Sequence, residues 1–399
     1  MKKILLILLM AGFAVQAQPD KKIDKCIKVF YKKGMAEGIE KLNKLMDKEM
    51  IKNSSMPSLR AYEVLVAMEF ERYSLFANMD ISITDENGEE DTSMTALFDE
   101  LTAISETRFL NTCRRATIES TSYTADMYYR NFVIDEDPDT NISEKGLEYY
   151  TEAEEFFLKE DYELAELNYR KALNEDPGYY KALLYLGDSF WAREDYDSAL
   201  VYYTQAKKMH PELLEPRKYI VDALVEQELY FRAKKECLEA FTIFPGADMK
   251  LKYQQILYVE NKYMDDHRFF RLFYPNDITK EDQDDLSYLD VWADYRAAKV
   301  KISKYCSDDG IIEDNGITED RYLEVYSIRN MLQANKGNLP EYLHFAAKMD
   351  EEGYLEPYVM IGLFHVDFYP QFKDYMSSEE NREKSMEWVE KYTIETYRD

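Results

Sequence analysis

Residues 187–200 read GDSFWAREDYDSAL, and residues 154–165 read EEFFLKEDYELA. The two stretches align at a step of 34 residues, and the same step recurs along the chain. Pro177, Pro211 and Pro245 keep it, as do Ala165, Ala199 and Ala233. So do Ala172, Ala206 and Ala240; Tyr162, Tyr196 and Tyr230; Tyr169, Tyr203 and Cys237; and Phe156, Phe190 and Leu224. Aligned columns without a gap identify a duplicated structural unit, so the chain declares architecture before chemistry.

Within one unit the apolar positions fall at helical spacing. Leu183, Leu186, Gly187 and Phe190 form an i, i+3, i+4, i+7 stripe, which predicts a helix with one buried face. Gly187 lets a second helix approach closely. Glu194-Asp195 supplies the turn, and Tyr196 opens the second helix, whose Ala199, Tyr203 and Ala206 face inward. Pro211 stops that helix. Repeats one and three vary the first-helix columns, with Tyr149 and Ala153, then Arg217 and Val221.

A helix–turn–helix unit of this period resembles the tetratricopeptide repeat family, with three full repeats over about residues 146–247. The resemblance implies an all-α, helical-hairpin solenoid, flanked here by further helical regions. A weaker copy sits near residues 19–52, where Asp20 to Lys33 and Met35 to Met50 read as two helices broken at Gly34. Cys26, Val29, Gly38, Leu42 and Leu45 fit its columns.

The flanks organise around the repeats. Residues 57–79, Met94 to Arg115 and Ser120 to Phe132 predict helices, with an exposed loop at 84–91. The acidic run at 135–145 reads as a linker, following an N-terminal helical region over 18–134. Residues 248–263 predict a helix capping a solenoid that spans 146–263, since a terminal repeat needs a more polar outer face. A C-terminal helical region, 264–399, is expected to hold helices at 279–305, 318–335, 340–350, 354–366 and 379–395.

Composition supports this. Tyr (34) and Phe (20) are abundant while Gly (13) and Pro (11) are scarce, which favours helices over turn-rich β architecture. The net charge of −28 disfavours nucleic acid and anionic lipid. At the start, Lys2 and Lys3 precede an apolar run from Ile4 to Val15 and the small-residue site Val15-Gln16-Ala17. That pattern predicts a signal peptide over 1–17, cleaved after Ala17. No cysteine follows for lipid attachment, so the expected location is periplasmic or secreted. Export permits disulfides, and a Cys26–Cys113 bridge is conceivable; Cys237 falls at a packed helix interface.

Catalytic motifs are absent. No HExxH, CxxC or phosphate-cradling glycine loop occurs. His210 adjoins Pro211 and reads as structural, and His365-Val366-Asp367 is a thin metal pair. Two acidic glycine loops fail as EF-hands: around Gly88, positions one and twelve would be Ile83 and Met94; around Gly316, Ile311 and Tyr322. The expectation is a non-enzyme with no catalytic, cofactor or metal site.

The resemblance implies that first helices line a concave groove for extended peptides or helices. Inner positions two, five, nine and twelve are then Leu147, Tyr150, Glu154 and Phe157; Lys181, Leu184, Asp188 and Trp191; Glu215, Lys218, Asp222 and Val225. Position nine is acidic each time and position twelve apolar. That pairing suits a basic-amphipathic protein or peptide. A competing reading has a flanking helix of the same chain occupy the groove. The expected function is an exported scaffold or adaptor in the bacterial cell envelope. The alternative is a carbohydrate-binding role resembling SusD-family proteins in general character.

Overall fold

The structure, a computed structural model, describes residues 20–53, 59–77, 92–119, 123–265, 323–340, 343–366 and 369–397. The expected signal peptide, the 84–91 loop, the 279–305 helix, Gly88, Gly316, Cys306 and Asp367 lie outside the described residues. The chain divides into two compact units, Met1–Glu136 and Asp137–Asp399.

The first unit contains α1 (Lys21–Lys33), α2 (Met35–Asn53), α3 (Leu59–Ala77), α4 (Thr92–Glu119) and α5 (Tyr123–Tyr129), which runs into a π turn at Arg130–Ile134. Asp20 caps α1, accepting from the amides of Lys22 and Ile23. Gly34 alone separates α1 from α2 and takes φ 132°, a conformation that side chains resist. Four residues on, a side chain at Gly38 would collide with the backbone of Phe30, so the two helices touch there. This hairpin is therefore closed by a single glycine, unlike the three- and four-residue turns of the solenoid below. Cys26 and Cys113 are both free and buried in the core with Phe30, Leu42, Tyr62 and Phe109. The conceivable bridge between them is not formed; each thiol packs as a small apolar group.

The second unit holds the repeats as three hairpins: α6 (Glu144–Leu158) with α7 (Tyr162–Glu175), α8 (Tyr180–Trp191) with α9 (Tyr196–Met209), and α10 (Glu215–Glu226) with α11 (Tyr230–Phe241). Each helix packs on its sequence neighbour. Ala165, Ala199, Ala233, Ala172, Ala206 and Ala240 are fully buried, so the small columns mark where helices meet. At Gly187 an added Cβ would lie 2.5 Å from the Tyr203 ring, which is why that column needs a small residue in this repeat. Side-chain size varies inversely across the two columns: glycine stands with Tyr203, whereas Val221 stands with the smaller Cys237.

The turns share one geometry. Glu160, Glu194 and Glu228 adopt left-handed φ of 62°, 64° and 58°. In the first two turns, Asp161 N–H donates to the Phe156 carbonyl and Asp195 N–H to that of Phe190, while Glu160 and Glu194 donate to Phe157 and Trp191. This is the paired bonding that closes a helix C-terminus through a left-handed residue. Asp161 and Asp195 then cap the second helices, accepting from Leu164 and Ser198 amides.

A fourth first-helix follows, α12 (Ala247–Val259), and Asn261 repeats the left-handed turn at φ 57°. The turn leads into a strand, not directly into a second helix. Lys262–Met264 forms β1, antiparallel to β2 (Ile394–Thr396). The β-branched Thr393, Ile394 and Thr396 favour a strand, so the helix expected to reach 395 ends as α16 (Glu379–Tyr392). α16 packs on α11, with Lys234 and Glu390 3.6 Å apart. The C-terminal residues thereby cover the end of the solenoid. Between β1 and α16 lie α13 (Leu323–Ala334), α14 (His344–Glu351) and α15 (Tyr369–Tyr375). The helix expected at 354–366 is a short turn, Leu355–Pro357, continued as a π turn over Tyr358–Gly362. Trp388 is buried here, its indole N–H donating to Met349 Sδ at 3.2 Å.

The acidic run before the repeats also has structural work. Asp139 accepts from the Tyr180 and Lys181 amides at 2.7 and 3.0 Å, capping α8, where a carboxylate meets the positive end of the helix dipole. Asp137 pairs with the Lys181 ammonium at 3.0 Å.

Candidate functional site on the repeat solenoid

Position nine of the first helix carries an acid in each of the three full repeats, and each acid has a fixed partner. Glu154 accepts from the Tyr169 phenol of the same hairpin, and Asp188 from the Tyr203 phenol at 2.6 Å. In the third hairpin Cys237 replaces that tyrosine, and Asp222 pairs instead with Lys252 of α12. The next first helix supplies a further neighbour. Tyr185 feels the charge of Glu154, and the Tyr219 ring lies 5.4 Å from that of Tyr203. Thus each acid sits between the second helix of its own hairpin and the first helix of the next.

Burial sets the electrostatics. Desolvation pushes the Asp188 carboxyl up to about 7; the Tyr203 hydrogen bond opposes this, and the charges of Glu154 and Asp222 add to it. Glu154 is likewise raised by burial and lowered by its Tyr169 bond. Tyr185 is pushed up to about 12, by burial first and Glu154 second. Tyr150 is raised by burial and packs against Tyr169, Tyr179 and Tyr185.

The remaining inner positions differ in access. Trp191 is 40% exposed and Leu147 53%, so among the described residues none covers them fully. Phe157 and Val225 are half-buried. Leu184 is only 2% exposed and Lys218 8%, the latter paired with Asp248 at 3.2 Å. Position five is therefore an interior position in repeats two and three, because the following helix packs over it.

Position twelve lies at the hairpin tip. Phe157, Trp191 and Val225 each stand three residues before a left-handed turn residue and accept its amide hydrogen at 2.9 Å. Tyr258 has the same relation to Asn261, at 3.1 Å. The row is thus Phe157, Trp191, Val225 and Tyr258. Sequence reasoning missed its fourth member because the last step is 33 residues and the turn leads into a strand. It also missed the position-six column of Tyr185 and Tyr219, although those two keep the 34-residue step.

Among the described residues, no group of three His, Cys, Asp or Glu side chains could hold a metal ion. His365 is buried 4.0 Å from Glu324. Nor is any described helix long and apolar enough to cross a membrane.

No protein-family model matches the chain, and no curated protein matches it. Among solved structures it is similar to the "TPR2AB-domain:pHSP90-complex of yeast Sti1", at 16% identity over 60% of this chain and 96% of that one, with a TM-score of 0.27. A likeness of that size carries no weight by itself. The 34-residue columns, the stacked hairpins and the recurring left-handed turn define this chain as an all-α helical-hairpin solenoid of tetratricopeptide type.

Proposed function

We propose that this protein is a non-enzymatic scaffold that binds another protein or peptide through the first-helix face of its solenoid. The observation that carries the reading is the apolar row at position twelve, with Trp191 exposed at its centre and an acid three residues earlier in each full repeat. Residues three apart on a helix share a face, so acid and apolar group present together. The partner is a basic-amphipathic segment: the apolar row supplies most of the affinity, and the negative surface speeds encounter. Asp222 keeps 39% of its side chain exposed and already holds the Lys252 ammonium. The N-terminal Lys2-Lys3, apolar run and Val15-Gln16-Ala17 support an exported protein, working in the bacterial envelope.

The test is affinity capture with the full-length mature chain from envelope extract, followed by calorimetry with the purified partner. Trp191→Ala is expected to weaken binding by about 1–3 kcal/mol while the protein stays folded. An unchanged affinity would place the partner elsewhere.

A further inference from the structure

Exposed apolar side chains scattered singly need no explanation, but one at each successive hairpin tip does. At the hairpin tips Leu158 is 81% exposed, Phe231 83% and Tyr258 71%. Trp191 lies in the same edge, in edge-to-face contact with Tyr196, as Phe157 is with Tyr162. Each tip thus exposes at least one large apolar group beside the turn that joins two helices. The turn positions themselves are Glu160, Glu194 and Glu228, all exposed. A glutamate there holds a left-handed conformation that glycine would adopt without strain, so the acid is kept against the local backbone preference.

The depth of the groove is different. Its acids are already bonded to Tyr169, Tyr203 and Lys252. A cationic partner reaching them would have to displace those donors, whereas the glutamates of the tips stand in solvent.

We infer that the hairpin-tip edge of the solenoid is the docking surface, and that its occupant is a segment of another protein that carries Lys or Arg together with aromatic or aliphatic residues. This rests on the protein-binding reading above and moves the principal contact from the groove to the edge. The occupant follows from charge complementarity: each of the three full-repeat tips sets an exposed glutamate beside an exposed large apolar side chain, Leu158, Trp191 or Phe231, so a matching segment carries both apolar and positive groups. An acidic, nucleic-acid or anionic-lipid partner would be repelled at the three glutamate tips.

The experiment uses the full mature chain and a fluorescein-labelled synthetic amphipathic peptide of Lys, Leu and Phe, with a Glu-for-Lys peptide as charge control, read by anisotropy. The Lys peptide is expected to bind, more weakly at higher salt, and the Glu peptide not. The double variant Phe231→Ser/Tyr258→Ser removes only exposed side chains, so its thermal melt should match wild type and its affinity should fall roughly tenfold. Leu147→Ser, at the far end of the first-helix face, should bind as wild type does. Wild-type affinity in the double variant overturns the edge. If Leu147→Ser weakens binding while the double variant does not, the groove is the site and the broader reading survives. Absence of binding, or equal binding of the Glu peptide, overturns the proposed occupant.

Discussion

The Tyr203 phenol donates to the Asp188 carboxylate at 2.6 Å, joining the two helices of the second hairpin through the residue the groove was expected to offer a partner. The same bond joins Tyr169 to Glu154 one repeat earlier. The acidic row thus belongs to the packing of the solenoid as well as to its surface. Tyr203→Phe keeps the ring but leaves a half-buried carboxylate without its donor, which costs about 1–3 kcal/mol. Denaturant melts of wild type and variant check this. Equal midpoints would show that Asp188 finds water just as readily.

Asp188 also predicts a pH dependence. Its carboxyl is held at about 7, above the 3.8 of an exposed aspartate, by burial first, and by Glu154 and Asp222. Tyr185 and Tyr219 of neighbouring turns and Tyr169 face the same region. Between those two values the native state keeps a proton that the unfolded chain releases. The stability contributed by this group is therefore full below the unfolded value and is lost as pH rises through about 7. Asp188→Asn retains an oxygen for Tyr203 and carries no charge. Relative to the variant, wild type should lose stability from about pH 4 to about pH 7. Parallel curves for the two proteins would contradict the buried placement of Asp188.

At the turns, Glu194 occupies a left-handed φ of 64°. Glu194→Gly should stabilise the protein by about 1 kcal/mol, the steric cost of that conformation less the entropy glycine adds to the unfolded chain. Glu163→Gly, in the first turn of α7, should act in the opposite sense by about 1 kcal/mol. Opposite signs from one substitution type separate turn geometry from loss of charge. A destabilising Glu194→Gly would mean that its side chain holds the turn.

Close packing gives a sharper check of the repeat register. Gly187→Ala would place a methyl group 2.5 Å from the Tyr203 ring. The expected cost is about 1–3 kcal/mol, as is that of Ala199→Leu at a fully buried helix contact. Asp197→Asn, on the exposed side of the same helix, should be nearly neutral. Thermal melts of the three variants rank them.

Most of the solenoid was legible because its columns obey packing rules that act at fixed spacing. Small residues recur where helices touch, and Ala165, Ala199 and Ala233 sit there in the structure. Less was legible of the site. That Asp188 would be tied to Tyr203 depends on the distance between two columns, which periodicity does not give. That Lys252 would take over at Asp222 depends on a loss, Tyr to Cys237, and a gain one repeat later. The strand at Ile394–Thr396 was hidden because its partner lies 132 residues upstream, at Met264 to Lys262. The short α1–α2 turn shows the same limit: Gly34 marks the break, but only geometry distinguishes a one-residue turn from the solenoid's longer one.

Side-chain oxidation by hydroxyl radicals, with and without the captured partner, tests partner docking on the repeats most directly. Phe157, Trp191, Phe231 and Tyr258 are expected to become protected, while Leu167 and Val201, exposed on the second helices, react as before. Protection of Leu167 and Val201 with the tip residues unchanged would contradict the account, because the partner would then lie on the opposite set of helices.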